Sequence, residues 1–553
     1  METKKNKSNY LIQGTILAGA SIIARIIGMI YRIPLTNILG DEGNAYYATA
    51  NQIYSILLMI STFSLPLAVS KLISERIHRG ETKNAQRVLG CALRFAAISG
   101  GIMAALTFLL AGVVCGTIMR VDGATIALRV ISPAIFIFAI AGVFRGYFQG
   151  FENMVPTATS QIIEQVINAF VSVLAASAMY KLGSSVMEGQ SATSMAAAGA
   201  TSGTVVSVTI ALLFLLFVYG AFRKDVKRNL AHDVGAKKES DSHIYQAIIL
   251  TVVPVIFSTL VYNISPTLDQ AIFNAVLSGQ GYTAEQYNTI YGIYTGKFYV
   301  LMNVPLALAS CLAPSVVPAL TAAVVERDYK DARIKVRTTM RYTMIITIPC
   351  AVGMAVLASP IMQLLFHDTH RLSAGIMQSG ALMIVFFAVS TLYTAVLQGL
   401  GRMKDPLINS CIALAVHVIL LLVLLKQFRL NIYAVVYANT AFALIVCILN
   451  FRAIRRRLRY RQEIRRTFLI PLISAALMGL AVFLVYQGID RLLLLALSDY
   501  IANFFATVVS ILVGILVYTF FLVRLRGIRS KEIQSLPKGA LLVRILTKMH
   551  FLA

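Results

Sequence analysis

The segment RGETKNAQRVLGCALRF (79–95) returns further along the chain as ERDYKDARIKVRTTMRY (326–342). At an offset of 247 residues Glu81 falls on Asp328, Lys83 on Lys330, Ala85 on Ala332 and Arg94 on Arg341. A second pair follows. FQGFENMVP (148–156) faces LQGLGRMKDP (397–406), with Gln149 on Gln398 and Gly150 on Gly399 at an offset of 249. Pro156 falls on Pro406 after one inserted residue. Two matches at nearly one spacing mark a duplicated chain, and what lies between the matched segments decides what was duplicated.

Those intervals are apolar. A helix needs about 20 largely apolar residues to cross a bilayer. Fourteen runs meet that need: 10–33, 45–70, 88–115, 125–148, 156–180, 192–221, 244–275, 288–321, 342–364, 372–400, 406–425, 431–451, 467–488 and 497–523. The repeat pairs spans 1–6 with spans 7–12. The expectation is an all-α polytopic membrane protein of fourteen transmembrane helices, with two pseudo-symmetric six-helix lobes and two further C-terminal helices. The lobes occupy 1–221 and 244–454, joined by a cytoplasmic linker at 222–243; spans 13 and 14 occupy 455–525 and a basic tail 526–553. Six helices per half leave the two halves in one orientation, the arrangement of transporters that rock one half against the other.

Composition agrees. Of 553 residues 58% are apolar and 13% charged, where a soluble domain has about 45–50% and about 25%. Too little polar surface remains to cover a water-soluble particle, which excludes secreted disulfide modules, fibrous chains and disordered tails. The six cysteines (Cys91, Cys115, Cys311, Cys350, Cys411, Cys447) stand singly, without a CxxC pair. Lys4, Lys5 and Lys7 precede an apolar run that carries Arg25 and extends too far for a cleavable signal, so it reads as the first span.

The net charge of +25 separates by side. With the N-terminus inside, and with Arg129 and Arg145 at the ends of span 4 counted with the adjoining loops, the cytoplasmic segments hold 38 Lys and Arg, the outer loops 7, and the spans 4. This bias places both termini in the cytoplasm, and the chain is expected in the plasma membrane. The bias also reads Arg455, Arg456, Arg457, Arg459 and Arg461 as topology determinants rather than a nucleic-acid patch.

Charge within the spans is costly, so it should face a partner or a wet cavity. Counting Arg129, Arg145 and Asp499, near span ends, with the adjoining loops, the acids there are Glu164 and Asp269; the bases are Arg25, Arg32, Arg94 and Lys297. Arg94 lies near the cytoplasmic end and can snorkel. Arg25 and Arg32 are seven residues apart, on one helix face and about 10 Å apart along it. With Lys297 at a comparable depth, three cations suit an anionic substrate such as a phosphate or pyrophosphate. The competing reading pairs Arg25 with Glu164 and Lys297 with Asp269. Gln161, Glu164, Gln165 and Asn168 make one polar helix face, read as cavity lining or polar helix packing. Tyr31, Tyr46, Tyr47, Tyr54, Tyr291, Tyr294 and Tyr299 read mostly as an interfacial aromatic belt. His367 and His370 form an HxxH read as a solvated loop. No nucleotide-binding GxxxxGK[ST] occurs, so no ATP-driven step is expected, and no nucleophile–base constellation marks an enzyme.

ASIIARIIGMIYRIPLTNILG (20–40), FSLPLAVSKLISE (63–75) and RGYFQGFENMVPTATSQIIEQVINAF (145–170) resemble the polysaccharide-biosynthesis and stage V sporulation protein B branch of the multidrug/oligosaccharidyl-lipid/polysaccharide exporter superfamily. That branch contains the MurJ-type lipid II flippases of Gram-positive bacteria. The resemblance implies two lobes around a cationic cavity, with the last two helices making a groove for a lipid tail. It implies outward movement of an undecaprenyl-pyrophosphate-linked peptidoglycan precursor by alternating access, by a monomer without a cofactor. Arg25 and Arg32 match the family's first-helix arginines. Lys297 matches the basic residue of the eighth helix approximately, with loss of the bidentate fork. Some relatives use a sodium site in the C-terminal lobe, for which Asp269 is the candidate; Na+ or the membrane potential then drives transport. The alternatives are a flippase for another lipid-linked polysaccharide or spore-cortex precursor, a cation-coupled multidrug exporter of the same fold, and a membrane scaffold.

Overall fold

The computed structural model describes residues 17, 19–61, 65–186, 190–230, 238–310, 316–317, 320–321, 323–324, 326–495 and 497–528. The start of the first expected span, residues 231–237 of the linker, Cys311 and most of the basic tail lie outside them. The described residues form helices throughout, with no strand among them.

The chain divides into two compact units, Met1–Gly296 and Lys297–Ala553. The first contains α1 (Gly19–Ile30), α2 (Arg32–Ser61), α3 (Leu65–His78), α4 (Thr82–Gly112, continued by a π-turn over Val113–Ile118) and α5 (Ala124–Gly150). There follow α6 (Val155–Val186), α7 (Gln190–Leu230), α8 (Asp241–Asn263), α9 (Ser265–Gly279) and α10 (Ala284–Ile293). The second contains α11 (Tyr299–Ser310), α12 (Tyr329–Val356), α13 (Ala358–Phe366), α14 (Arg371–Gly399), α15 (Lys404–Lys426) and α16 (Ile432–Leu458). It closes with α17 (Ile470–Leu493), led in by a π-turn at Arg465–Leu469, and α18 (Asp499–Arg524).

Among the described residues eleven helical stretches are long and apolar enough to cross a membrane. They coincide with expected spans 2–6 and 9–14. Expected span 1 shows only the short apolar helix α1. Expected span 7 is broken into α8 and α9 at Ile264 and Ser265, and expected span 8 is interrupted by a π-turn at Tyr294–Phe298. The boundary between compact units also departs from expectation. It falls inside expected span 8 rather than in the 222–243 linker, because α9 and α10 pack on α2.

The duplication is visible in the geometry of each unit. Glu81 and Asp328 are both helix N-caps, opening α4 and α12. Gly150 and Gly399 end α5 and α14. A Cβ on Gly150 would meet Ile73 Cβ at 2.8 Å and Ser70 O at 3.1 Å. A Cβ on Gly399 would meet Leu320 Cβ and Val317 O, both at 3.2 Å. Ile73 and Leu320, like Ser70 and Val317, are 247 residues apart. The same close helix approach is therefore built twice, and glycine is needed at both copies because backbone oxygen lies against it.

Within the first unit, the start of α8 is fastened to α3 and α4 by charge. Arg76 donates from Nε and a terminal nitrogen to the two oxygens of Glu239, each at 2.7 Å. Arg94 donates to Asp241 at 2.9 Å, and Arg87 donates to the same carboxylate. Arg94 is thus structural, as its depth suggested. Burial alone would raise the Glu239 carboxyl, but hydrogen bonds from Arg76 and His243 hold it below its ordinary value. The Arg87 and Arg94 guanidiniums lower Asp241 likewise. Both carboxyls are depressed on folding, so their contribution is complete above the unfolded value, about 4, and is lost as pH falls through the folded values. Hydrogen exchange at the start of α8, corrected for intrinsic rate, is expected to stay level from neutral pH to that window and to accelerate below about pH 4. Acceleration already between pH 7 and 6 would show that another group fastens the helix.

Candidate substrate-facing site

Positions 21, 25, 28 and 32 follow i, i+4, i+7, i+11 spacing and share one face of the first helix. The helix carries past Tyr31, whose N–H donates to Ile27 O at 3.2 Å and whose carbonyl accepts from Leu35 N at 3.2 Å. Ser21 Oγ donates to Gln161 Oε1 at 3.2 Å. A Cβ on Gly28 would lie 3.4 Å from Gln165 Oε1. Asn168 Nδ2 donates to Tyr31 Oη at 3.0 Å. The polar stripe of α6 therefore runs against the arginine-bearing face of the first helix, and glycine at 28 lets the two come close.

Arg25 is exposed on this face, and among the described residues no carboxylate is paired with it. Arg32 is half-buried, its guanidinium 4.2 Å from the centroid of the Tyr47 ring. The stripe's only acid is taken: Arg145 donates to Glu164 Oε2 at 2.7 Å and from Nε to Ser160 Oγ at 3.0 Å. The Arg25–Glu164 pairing therefore does not form. Arg145, left out of the intramembrane cations by the sequence reading, is 6% exposed near the end of α5. With Glu164 neutralised, the exposed charge on this surface is cationic.

Lys297 belongs to the second unit, on the π-turn before α11. Within that unit its carboxylate partner is Asp368, at 2.5 Å. The ammonium is buried, and Asp368 also accepts from His370 N at 2.8 Å and from Ser373 Oγ. Burial would raise the Asp368 carboxyl, but Lys297, Ser373 and the His370 amide hold it below its ordinary value.

Asp269 is buried on α9, inside the first unit rather than in a C-terminal lobe. Its neighbours on the helix anchor that segment: Gln270 Nε2 donates to Thr49 Oγ1 at 2.6 Å and Asn274 Nδ2 to Met119 O at 2.8 Å. The aromatic belt is also corrected. Tyr46, Tyr47, Tyr54, Tyr291 and Tyr294 are buried, because their rings pack between helices; Tyr291 Oη, for example, donates to Pro266 O at 3.2 Å. His367 stacks on Tyr500 at 4.9 Å, and among the described residues no group of three metal-ligating side chains forms.

The second unit holds an apolar groove of about 590 Å³. Val352 of α12, Val385 and Phe386 of α14, Phe451 of α16, and Phe468 and Leu472 at the start of α17 wall it. The resemblance implied a tail groove made by the last two helices; this one is walled mainly by α12, α14 and α16, with only the start of α17 from that pair. Sequence reasoning missed the two charge partners, Arg145 and Asp368. Arg145 carried a usable signal: a guanidinium five residues inside an apolar helix end, followed by a hydroxyl-rich PTATS stretch. Asp368, flanked by two histidines in a short loop, carried none.

A model of the family described as polysaccharide biosynthesis protein matches residues 11–324, and one described as MatE matches 254–423. The lipid II flippase MurJ of Bacillus subtilis (strain 168) is 26% identical over 495 residues, covering 86% of this chain and 89% of that one. Stage V sporulation protein B of the same organism is 25% identical over 444 residues, covering 80% and 83%. Among solved structures, lipid II flippase MurJ in an inward closed conformation aligns over 93% of this chain and 99% of its own, with a TM-score of 0.66 at 15% identity.

Proposed function

The chain belongs to the polysaccharide biosynthesis protein family, and on that premise we propose that it is a flippase for an undecaprenyl-pyrophosphate-linked peptidoglycan precursor, lipid II. The observation that carries this reading is the polar face of the first helix. Arg25 stands exposed beside the α6 stripe while Arg145 occupies Glu164. A pyrophosphate is a bidentate match for such guanidiniums, and the α6 amides at Gln161 and Gln165 suit a sugar–peptide headgroup. The apolar groove of the second unit suits the polyprenyl tail. In this reading Lys297 contributes once a substrate phosphate displaces Asp368. Transport proceeds by alternating access, driven by Na+ through Asp269 or by the membrane potential.

The MatE match favours a second reading, export of cationic drugs. That chemistry calls for a buried carboxylate offered to the substrate, and Glu164 is held by Arg145. Similarity to stage V sporulation protein B favours a third, carriage of a spore-cortex precursor. Depletion of the protein separates them. The expected result is accumulation of lipid II in the cytoplasmic leaflet, with its outer-leaflet pool falling. Accumulation of a different lipid-linked glycan would redirect the substrate assignment, and accumulation of none would end the flippase reading.

A further inference from the structure

Four of the arginines that fix topology do more than add charge. Arg402, Arg452, Arg456 and Arg457 line one pocket of about 500 Å³, with Asp405, Asn409 and the apolar Ile408 and Leu449. Arg455, Arg459 and Arg461, from the same basic run, do not line it. The pocket lies between the start of α15 and the end of α16, within the second unit and apart from the groove described above. Its one carboxylate, Asp405, is paired with Arg402 at 3.1 Å. Four guanidiniums thus face one acid, and the excess is cationic.

The wall is built rather than incidental. Asn409 Nδ2 donates to Asn450 Oδ1 at 2.8 Å, and Asn450 Nδ2 donates to Thr394 Oγ1 at 3.1 Å, tying both pocket helices to α14. Topology alone asks for cations on this side and has no need for them to converge. Convergent guanidiniums are suited to phosphate.

We infer that this pocket binds the phosphate headgroup of an anionic phospholipid. The helices indicate a lipid rather than a free anion. From Ile408 at the pocket rim, Ile412, Val416 and Ile419 continue along one face of α15, all exposed. A headgroup held by the arginines leaves its acyl chain along that strip. The basic run is also the segment that the charge bias assigns to the cytoplasmic leaflet, where anionic lipids attract juxtamembrane arginines.

The test uses the full chain in nanodiscs of phosphatidylcholine with a minor fraction of phosphatidylglycerol, followed by native mass spectrometry of retained lipid. Phosphatidylglycerol should be retained in preference, and Arg452→Gln/Arg456→Gln/Arg457→Gln should lower that retention by roughly 10- to 100-fold. Arg455→Gln/Arg459→Gln/Arg461→Gln, which removes as many charges from the same run, should leave it within about twofold of the parent. If the pocket variant fails to insert, Ile408→Glu puts a carboxylate at the rim without removing a cation and should give a comparable loss. Equal losses in the pocket and control variants, or no loss in either pocket variant, would overturn the proposal. Displacement of phosphatidylglycerol by millimolar inorganic phosphate would also overturn it, by assigning the pocket to a soluble anion.

Discussion

Arg25→Ala is expected to reduce translocation of the lipid-linked precursor to a few per cent of the parental rate or less, while the protein remains inserted and folded. The side chain is exposed, and no described carboxylate is paired with it. Removing it therefore strands no buried partner and costs little stability. What is lost is a guanidinium on the face that Ser21 and Gly28 hold against Gln161 and Gln165. Each charge-assisted hydrogen bond to a phosphate is worth about 1.5–3 kcal/mol. Two from one bidentate fork come to roughly 3–6 kcal/mol, a loss of about 100-fold or more. Arg25→Lys keeps the charge without the fork and should fall between. Arg32→Ala should cost less, since Arg32 is already stacked on Tyr47. Reconstituted protein, assayed for precursor reaching the outer leaflet, supplies the measurement. Parental transport by a stably inserted Arg25→Ala protein would remove the cationic face from the mechanism.

The contrast between Arg25 and the other intramembrane charges shows what a linear sequence conveys. Depth along a span can be read from hydropathy alone, and so Arg25, Arg32, Glu164, Asp269 and Lys297 are all legible as embedded. The partner is a tertiary fact. Glu164 meets Arg145 from the preceding helix, and Lys297 meets Asp368 from a loop 71 residues away. Neither pairing leaves a periodic trace. The duplication was legible because the helix starts Glu81–Arg94 and Asp328–Arg341 must cap and orient equivalent helices, so their polar residues survive while apolar ones drift among near-equivalents. Contacts that depend on small residues were less so. The tyrosines around α2 and α10 look interfacial by composition and depth, yet glycines at Gly123, Gly292 and Gly296 let helices approach closely enough to bury them. A glycine's role depends on what faces it, which composition does not record.

That dependence makes Gly292 the most consequential small residue in the first unit. The segment GIYTG (292–296) presents a glycine pair to α2 in the small-xxx-small manner of closely packed membrane helices. A Cβ on Gly292 would sit 1.6 Å from the carbonyl oxygen of Asp41, and one on Gly296 would sit 2.6 Å from Asn44 Cγ. The two sites differ in what must yield. At Gly292 the obstacle is backbone, just beyond Gly40, where the chain turns with φ of 65°. At Gly296 it is a side chain, although one whose amide donates to Thr36 O at 3.0 Å and Gly40 O at 2.6 Å. Overpacking typically costs about 1–3 kcal/mol, and a clash against backbone belongs at or above the top of that range. If this contact closes one face of an alternating-access cycle, about 3 kcal/mol against it shifts the balance of states roughly 100-fold toward the open one. Gly292→Ala should therefore make a cysteine placed at Asn288, in a background lacking the six native cysteines, react far faster with a membrane-impermeant thiol reagent. Gly296→Ala should give a smaller increase. Gly279→Ala, where no atom lies within 4 Å of the new Cβ, should give none. A lowered thermal midpoint without any gain in reactivity would make the glycine pair a static packing device, and parental values for both would show that α10 and α2 do not approach this closely in the membrane.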